Sequence, residues 1–427
     1  MTTDSAVPSP FSLDEAAIRC PHVYFETTRR ERPVYFEPII DAWVVSADAD
    51  VRAVLKESGR YSNRRATGPV YARQMGAALR RLVASGQVDD RLLARIGQGS
   101  AKVLLDADPP QHRRQRSAVA EYFTPKAVAP LEAGIAALAD DLIDAFVDDG
   151  EADVAARFSR PLPMGVIADQ LGVRDDQELA DFYRWSDSFT AALGNHDLDD
   201  ATLVAILGAQ ADFFEYFDRR LDGLLAAPAD HLLGAVASAR DEQGEPLTRA
   251  EQLQMCAQFV VAGNETTAKT LTMAVKFLAD TPGLEQRVRG DRAIMRRFVE
   301  EVLRLEAPTQ GMFRQARDDV TVGGVAISAG DHLFLAYASA NRDATRFDAP
   351  DQLDLDRPSP AVHLGFGVGE HYCLGAHLAR LEATVGLERL LARVEGFSIA
   401  DAGGEAWDRS YFLHGLTGLK VSFRRRS

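Results

Sequence analysis

Three cysteines occur in 427 residues, and one of them, Cys373, sits in the stretch FGVGEHYCLG at 366–375. Behind it Leu374, Leu378, Leu381 and Val385 recur at helical spacing, so the thiol lies at the N-terminus of an amphipathic helix after a glycine-rich turn. Free amides and the helix dipole at such a place favour thiolate over thiol. An activated thiolate serves as a nucleophile, a zinc ligand or an axial ligand to haem iron. As a nucleophile, Cys373 would have His371 nearby as a base but no oxyanion site. A zinc site would draw on His371, Cys373 and His377, three ligands at irregular spacing with no second cysteine pair. Haem fits better. Thiolate is an axial ligand of haem iron, glycines let a flat macrocycle approach the loop backbone, and Phe366 can pack beside the sulfur. Arg314, His363, His112 and Arg116 could hold two propionates.

A second candidate is the middle of a long helix. The stretch TRAE at 248–251 fits a capping box, and helical pattern continues to about Ala279, stopping before Thr281-Pro282. Roughly 30 residues would span about 45 Å. The centre reads VVAGNETTAKT, with Gly263 in the interior at a cost of about 1 kcal/mol against alanine. Either this is a kink with a solvated turn, or Ala262 and Gly263 let something approach the backbone while Glu265 and Thr266 handle protons. Further on, Glu301 and Arg304 share a helix face in EEVLRLEAP; alone, such a pair is worth a few tenths of a kcal/mol at a surface. A long meander with Asn341, Arg342, Phe347 and Arg357 follows, which in a compact domain has a function or is pinned by partners. In DPPQHRRQR, His112 and Arg116 fall one turn apart, a solvated basic turn or a grip on anions.

The elements that must position these residues are mostly helices. Residues 33–46 read as a small sheet, 120–235 as helix almost throughout, 318–337 as strands around Gly323-Gly324, and LKVSFRR as a last strand. No alternating strand–helix pattern for a doubly wound sheet occurs, so the fold class is mainly α with small β regions (α+β). Residues 1–16 are polar with two prolines and are expected as a disordered arm, leaving 17–427 as one domain. A formal net charge of −15 argues against nucleic-acid or basic membrane partners. The odd, scattered cysteines argue against a disulfide framework, and the longest apolar runs fall far short of a bilayer. A cytoplasmic protein is expected.

Taken together, these stretches resemble the cytochrome P-450 family. FGVGEHYCLG is similar to its haem-binding loop at Phe366, Gly369, His371, Cys373 and Gly375. AGNETT (262–267) resembles its dioxygen-binding helix segment. EVLR (301–304) resembles its Glu-x-x-Arg helix, with Arg357 completing that cluster, and DPPQHRRQR and NRDATRFDAP resemble the soluble bacterial members. The matches run in the family's order from about 108 to 375, and Ser328 stands where a proline is common.

The resemblance implies a P-450 fold in a single haem-containing domain and a haem-thiolate monooxygenase using dioxygen. The cofactor would be haem b, with Cys373 on the iron and Phe366, Gly367 and Gly375 in its loop. Glu265 and Thr266 would relay protons, and Ala262 and Gly263 would form the dioxygen groove. The chain carries no flavin or iron–sulfur motif, so electrons would come from a ferredoxin or flavodoxin with its NAD(P)H reductase. Arg113, Arg114, Arg116 and Arg380 would make a basic docking face for it. The pocket would draw on Phe189, Phe213, Phe214, Val260, Met312, Phe313, Phe412 and Leu413. They suit a medium-to-large, mostly apolar secondary metabolite, terpenoid or steroid. The arginine-rich stretch at 64–82 reads as solvated surface or as a grip on an oxygenated substrate.

Overall fold

The computed structural model describes residues 7–173, 175–195, 198–226, 231–241, 243–401 and 404–426. Its axis is the helix Arg249–Asp280, opened by Thr248 and Glu251 in the reciprocal capping box that the sequence predicts. Most of its inward positions are buried, from Leu253 to Leu278, because helices pack on several sides of it. Pro161–Gln170, Arg292–Glu306 and Ala376–Arg393 are among those neighbours. One core joins Leu271, Phe298, Val302, Leu378 and Leu387, and a second joins Phe182, Trp185, Phe213, Phe217 and Val260.

The expected β regions are present, and the last of them packs into the helical core through Val394, Leu416, Leu419 and Val421. Val34–Glu37 and Ala42–Val45 pair antiparallel; His332–Leu335, Met312–Ala316 and Tyr61–Ser62 extend them into a five-stranded sheet. Val320–Val322 and Val325–Ile327 form the hairpin read around Gly323-Gly324, whose φ values of 55° and 80° suit glycine. The last strand, Leu416–Arg425, pairs with Val394–Ile399, Glu405–Trp407 and Glu151–Asp153.

The reading of 1–16 as a disordered arm does not hold over residues 10–16. Pro10–Ser12 form a short helical turn, and Asp14 caps Glu15–Arg19 by accepting from the amides of Ala16 and Ala17. Phe11 is fully buried, edge-on to Phe334 and Tyr411, and Leu13 packs in the same core. Two apolar side chains anchor a segment whose composition is otherwise polar. Residues 1–6 of the expected arm lie outside the described residues.

The Glu301–Arg304 pair is interior, with both side chains fully buried. Arg304 Nε and Nη2 donate to the two Glu301 oxygens at 2.7 and 2.9 Å, and Arg357 Nε adds a third bond at 3.1 Å. The remaining donors of Arg304 reach the carbonyls of Asn341, Pro350 and Gln352. Arg357 holds the Asp348 carbonyl, and Glu301 accepts the Asp354 amide. The meander is thus pinned from within by one charged cluster, which satisfies its backbone where no ladder does.

Candidate functional site

A cavity of about 540 Å³ opens between the long helix, the cysteine loop and the five-stranded sheet. Cys373, Phe366, Gly367, Gly375, His112, Arg116, Arg314, Ala262, Gly263, Glu265 and Thr266 all line it. Residues drawn from four separate stretches of sequence therefore meet at one place. Of the expected wall, Phe189, Met312, Phe412 and Leu413 line it too; Phe213, Phe214, Val260 and Phe313 are buried behind it.

Cys373 sits three residues before the helix Ala376–Arg393. Its amide donates to the Phe366 carbonyl at 2.9 Å, which closes the loop. Burial pushes the thiol up; the Gly375 amide and the charges of Arg116 and Arg380 pull it down without prevailing. Burial thus opposes the pull of the helix dipole toward thiolate, and a cation bound at the sulfur would restore it. Gly367 takes φ 65°, which other residues rarely adopt, and a Cβ on Gly375 would meet nothing within 4 Å. Phe366 lies under the Arg380 guanidinium, 4.3 Å from its ring centre.

The polar end of the cavity is cationic. His112 and Arg116 project from the helix Gln111–Val119, and the His112 ring lies 3.9 Å from that of His371. Burial lowers Arg116, against an opposing pull from Cys373 beside it. Arg314 is buried, donates to the Phe313 carbonyl and bonds the Tyr337 hydroxyl. His112 Nδ1 and His371 Nε2 are buried without a hydrogen-bond partner. Burial first, then His112, Arg314 and Arg116, hold His371 down at about 2, so its ring is neutral. Two guanidiniums and two unsatisfied ring nitrogens beside a thiol suit a flat macrocycle with two carboxylates. The residues present fit a haem.

His363, expected among these anion holders, does not line the cavity. Its Nδ1 accepts the Gly365 amide and its Nε2 bonds Glu300 Oε2 at 2.9 Å. His371 lines the cavity where His363 was expected. The signal was an imidazole inside the cysteine loop itself. Sequence reasoning also passed over Tyr337 and Glu382, both in the lining. Glu382 stands on the apolar stripe of its helix beside Leu378, an irregularity visible in the sequence. Burial pushes its carboxyl well up, Thr267 is its side-chain partner, and Oε2 has none.

On the long helix the polar centre is half-buried and faces the cavity. Thr266 Oγ1 donates to the Ala262 carbonyl at 3.0 Å, and the helix continues unbroken through Gly263. A Cβ on Gly263 would come within 3.3 Å of Ile167, so the glycine admits the neighbouring helix Pro161–Gln170. Glu265 Oε2 bonds Lys269 Nζ at 3.0 Å.

The expected basic docking face is largely neutralised. Arg113 pairs with Glu370, Arg114 with Glu251 and Asp241, and Arg380 with Glu300, while Arg116 turns into the cavity. No helix of the described residues is long and apolar enough to cross a membrane.

The family described as Cytochrome P450 matches residues 225–401. The Steroid C26-monooxygenase of Mycobacterium tuberculosis H37Rv is 32% identical over 88% of this chain and 96% of its own. The structure of Cytochrome P450 CYP109Q5 from Chondromyces apiculatus is 32% identical with a TM-score of 0.82, covering 97% of this chain and 98% of its own. The crystal structure of CYP109E1 from Bacillus megaterium in complex with corticosterone is 27% identical with a TM-score of 0.80, covering 96% and 99%.

Proposed function

The chain belongs to the cytochrome P450 family of haem monooxygenases, and we propose that it hydroxylates or epoxidises a steroid-sized, mostly apolar molecule. The observation that carries this is the convergence of Cys373, the cationic end and the Ala262–Thr266 turn on one cavity. We assign the cofactor as haem b, held by Cys373 through the iron and by His112, Arg116, Arg314 and His371 at its carboxylates. When bound, it supplies activation of dioxygen and transfer of one oxygen atom to a C–H or C=C bond.

The chain's own residues do the rest. The thiol loop fixes the sulfur, and Phe366 shields it from water. Ala262 and Gly263 offer a wall without bulk. Thr266 carries the hydroxyl on the cavity side of the long helix, and Glu265, anchored by Lys269, supplies the carboxylate from which protons are relayed. Phe189, Met312, Phe412 and Leu413 supply an apolar wall for the substrate. Exposed Arg64, Arg65 and Lys102 sit in the same lining, where they suit a substrate bearing oxygen at one end. Steroids fit this description, and the relatives named for steroid oxidation or crystallised with corticosterone support it.

Two electrons per turnover would come from a ferredoxin or flavodoxin with its NAD(P)H reductase. With its arginines paired, the docking face would be short-ranged, and electron transfer would respond only weakly to salt. A cytoplasmic setting goes with an exposed free thiol at Cys20. The decisive experiment is the reduced carbon monoxide spectrum. A red-shifted band, lost in Cys373→Ala, is expected; its absence in the wild type overturns the reading. Screening steroids by the loss of iron-bound water then identifies the substrate, and no response from any steroid rejects that class.

A further inference from the structure

Behind the substrate wall, away from Cys373, a second group of ligating side chains converges. His22 comes from the helix Pro21–Glu31, Glu306 ends the helix Arg292–Glu306, and His414 lies in the turn before the strand Leu416–Arg425. Their ligand atoms lie within 4.8 Å of one another. Glu306 Oε2 is 3.3 Å from His414 Nε2 and 4.0 Å from His22 Nε2. His414 is 3% exposed, yet its Nε2 makes no hydrogen bond. Buried imidazole nitrogens without partners are rare and call for a missing one.

Neighbouring side chains hold these groups in place. The His414 ring stacks on Trp407, 5.0 Å between centres, and its backbone amide donates to the Pro308 carbonyl. Arg342 stands beside the other carboxylate oxygen, Glu306 Oε1, at 3.8 Å, which leaves Oε2 to the imidazoles. That guanidinium is otherwise engaged by the Leu305 carbonyl and by Asp351.

We propose that His22, Glu306 and His414 form a zinc site. Two imidazoles and one carboxylate are a common zinc ligand set, with water in the fourth position. His22, 16% exposed, marks the side from which ion and water enter. Tetrahedral bonds of about 2.0–2.1 Å put ligand atoms roughly 3.3 Å apart. The His414–Glu306 leg already has that length, and the His22–Glu306 leg, at 4.0 Å, closes by rotation of an edge side chain. The site joins three parts of the chain that already share one apolar core with Tyr24, Ala307 and Phe412. Pro308, Thr309, Phe412 and Leu413 line the substrate cavity, and the Gln310 amide donates to the Phe412 carbonyl. Zinc at this place clamps that wall from behind and fixes the Phe412–Leu413 turn.

The test titrates chelator-treated holoenzyme with zinc chloride by calorimetry and counts metal per chain. One equivalent is expected, together with a rise in melting temperature. His22→Gln and His414→Ala should each weaken binding by roughly a hundredfold and abolish the rise, while His377→Gln, an exposed control, leaves both unchanged. Should His414→Ala lose its carbon monoxide spectrum, His22→Gln alone carries the test, because it lies at the edge of the fold. Zinc binding that is absent, or equal in wild type and His22→Gln, overturns the proposal. Neither result bears on the haem, whose spectrum reads the other site separately.

Discussion

Lys269 Nζ lies 3.0 Å from Glu265 Oε2, one helical turn away, and the lysine side chain is only 3% exposed. Asp408 Oδ2 meets the same amine at 2.9 Å. Burial lowers the lysine, but the two carboxylates outweigh it and raise it, so the amine is charged. The carboxylate beside the cavity is therefore fixed in place by a cation of its own. Lys269→Met should cost about 3 kcal/mol, since it leaves two carboxylates facing a buried apolar side chain. The double variant with Glu265→Gln should recover part of that loss in urea unfolding of the holoenzyme. Equal stability of wild type and Lys269→Met would show that the pair carries no weight.

Thr266 makes one bond, to the Ala262 carbonyl of its own helix. Removing its hydroxyl should leave stability within about 1 kcal/mol. The effect should fall on chemistry: Thr266→Ala is expected to release more of the consumed dioxygen as hydrogen peroxide. Product, peroxide and NAD(P)H are measured together in the reconstituted system. An unchanged ratio removes Thr266 from proton delivery.

Much of this arrangement is legible before folding, because it is local. The capping box at Thr248, the Gly323-Gly324 hairpin and the place of Cys373 ahead of its helix depend on neighbours in sequence. What could not be read is direction. His363 and His371 are both imidazoles close to the cysteine loop, and only packing decides that one meets Glu300 and the other the cavity. Burial was equally hidden. Glu301 and Arg304 show the spacing of any surface pair, and their enclosure comes from a meander some 40 residues later. His22 and His414, nearly 400 residues apart, had no local signal at all.

The interior position of that pair sets a further expectation. Arg304→Ala would strip Glu301 of its bidentate partner and free three carbonyls at once. A loss of about 3–5 kcal/mol is expected, read as a low haem-loaded fraction on expression. Arg357→Ala removes one bond to a carboxylate that keeps Arg304, and should cost less. Reversal of that order would contradict the bonding described.

Arg116 and Arg314 are expected to act on cofactor retention rather than folding. Each is turned toward the cavity, Arg116 without a carboxylate of its own. Arg116→Leu or Arg314→Leu should speed haem transfer to an apoglobin acceptor about tenfold, the equivalent of one charge-assisted bond of ~1.4 kcal/mol. His363→Gln should leave that rate near wild type, since His363 bonds Glu300 instead. A faster loss in His363→Gln than in Arg314→Leu would restore His363 to the anion site.

Glu300 predicts how the fold responds to acid. Burial would raise its carboxyl, but the His363 hydrogen bond and Arg380 outweigh it and hold it at about 2, against an ordinary 4.5. A carboxyl depressed in the folded state stabilises the fold above its unfolded value, and the benefit fades as pH falls from about 4.5 toward 2. The full effect is at most about 3 kcal/mol at neutral pH. Glu251 and Glu306 are depressed in the same direction, so the wild-type acid limb is composite. Glu300→Gln should be less stable than wild type at pH 7 and should lose less on acidification, so the two urea curves converge toward pH 3. A stability gap that stays constant between pH 7 and pH 3 would mean that Glu300 contributes through packing and not through its charge.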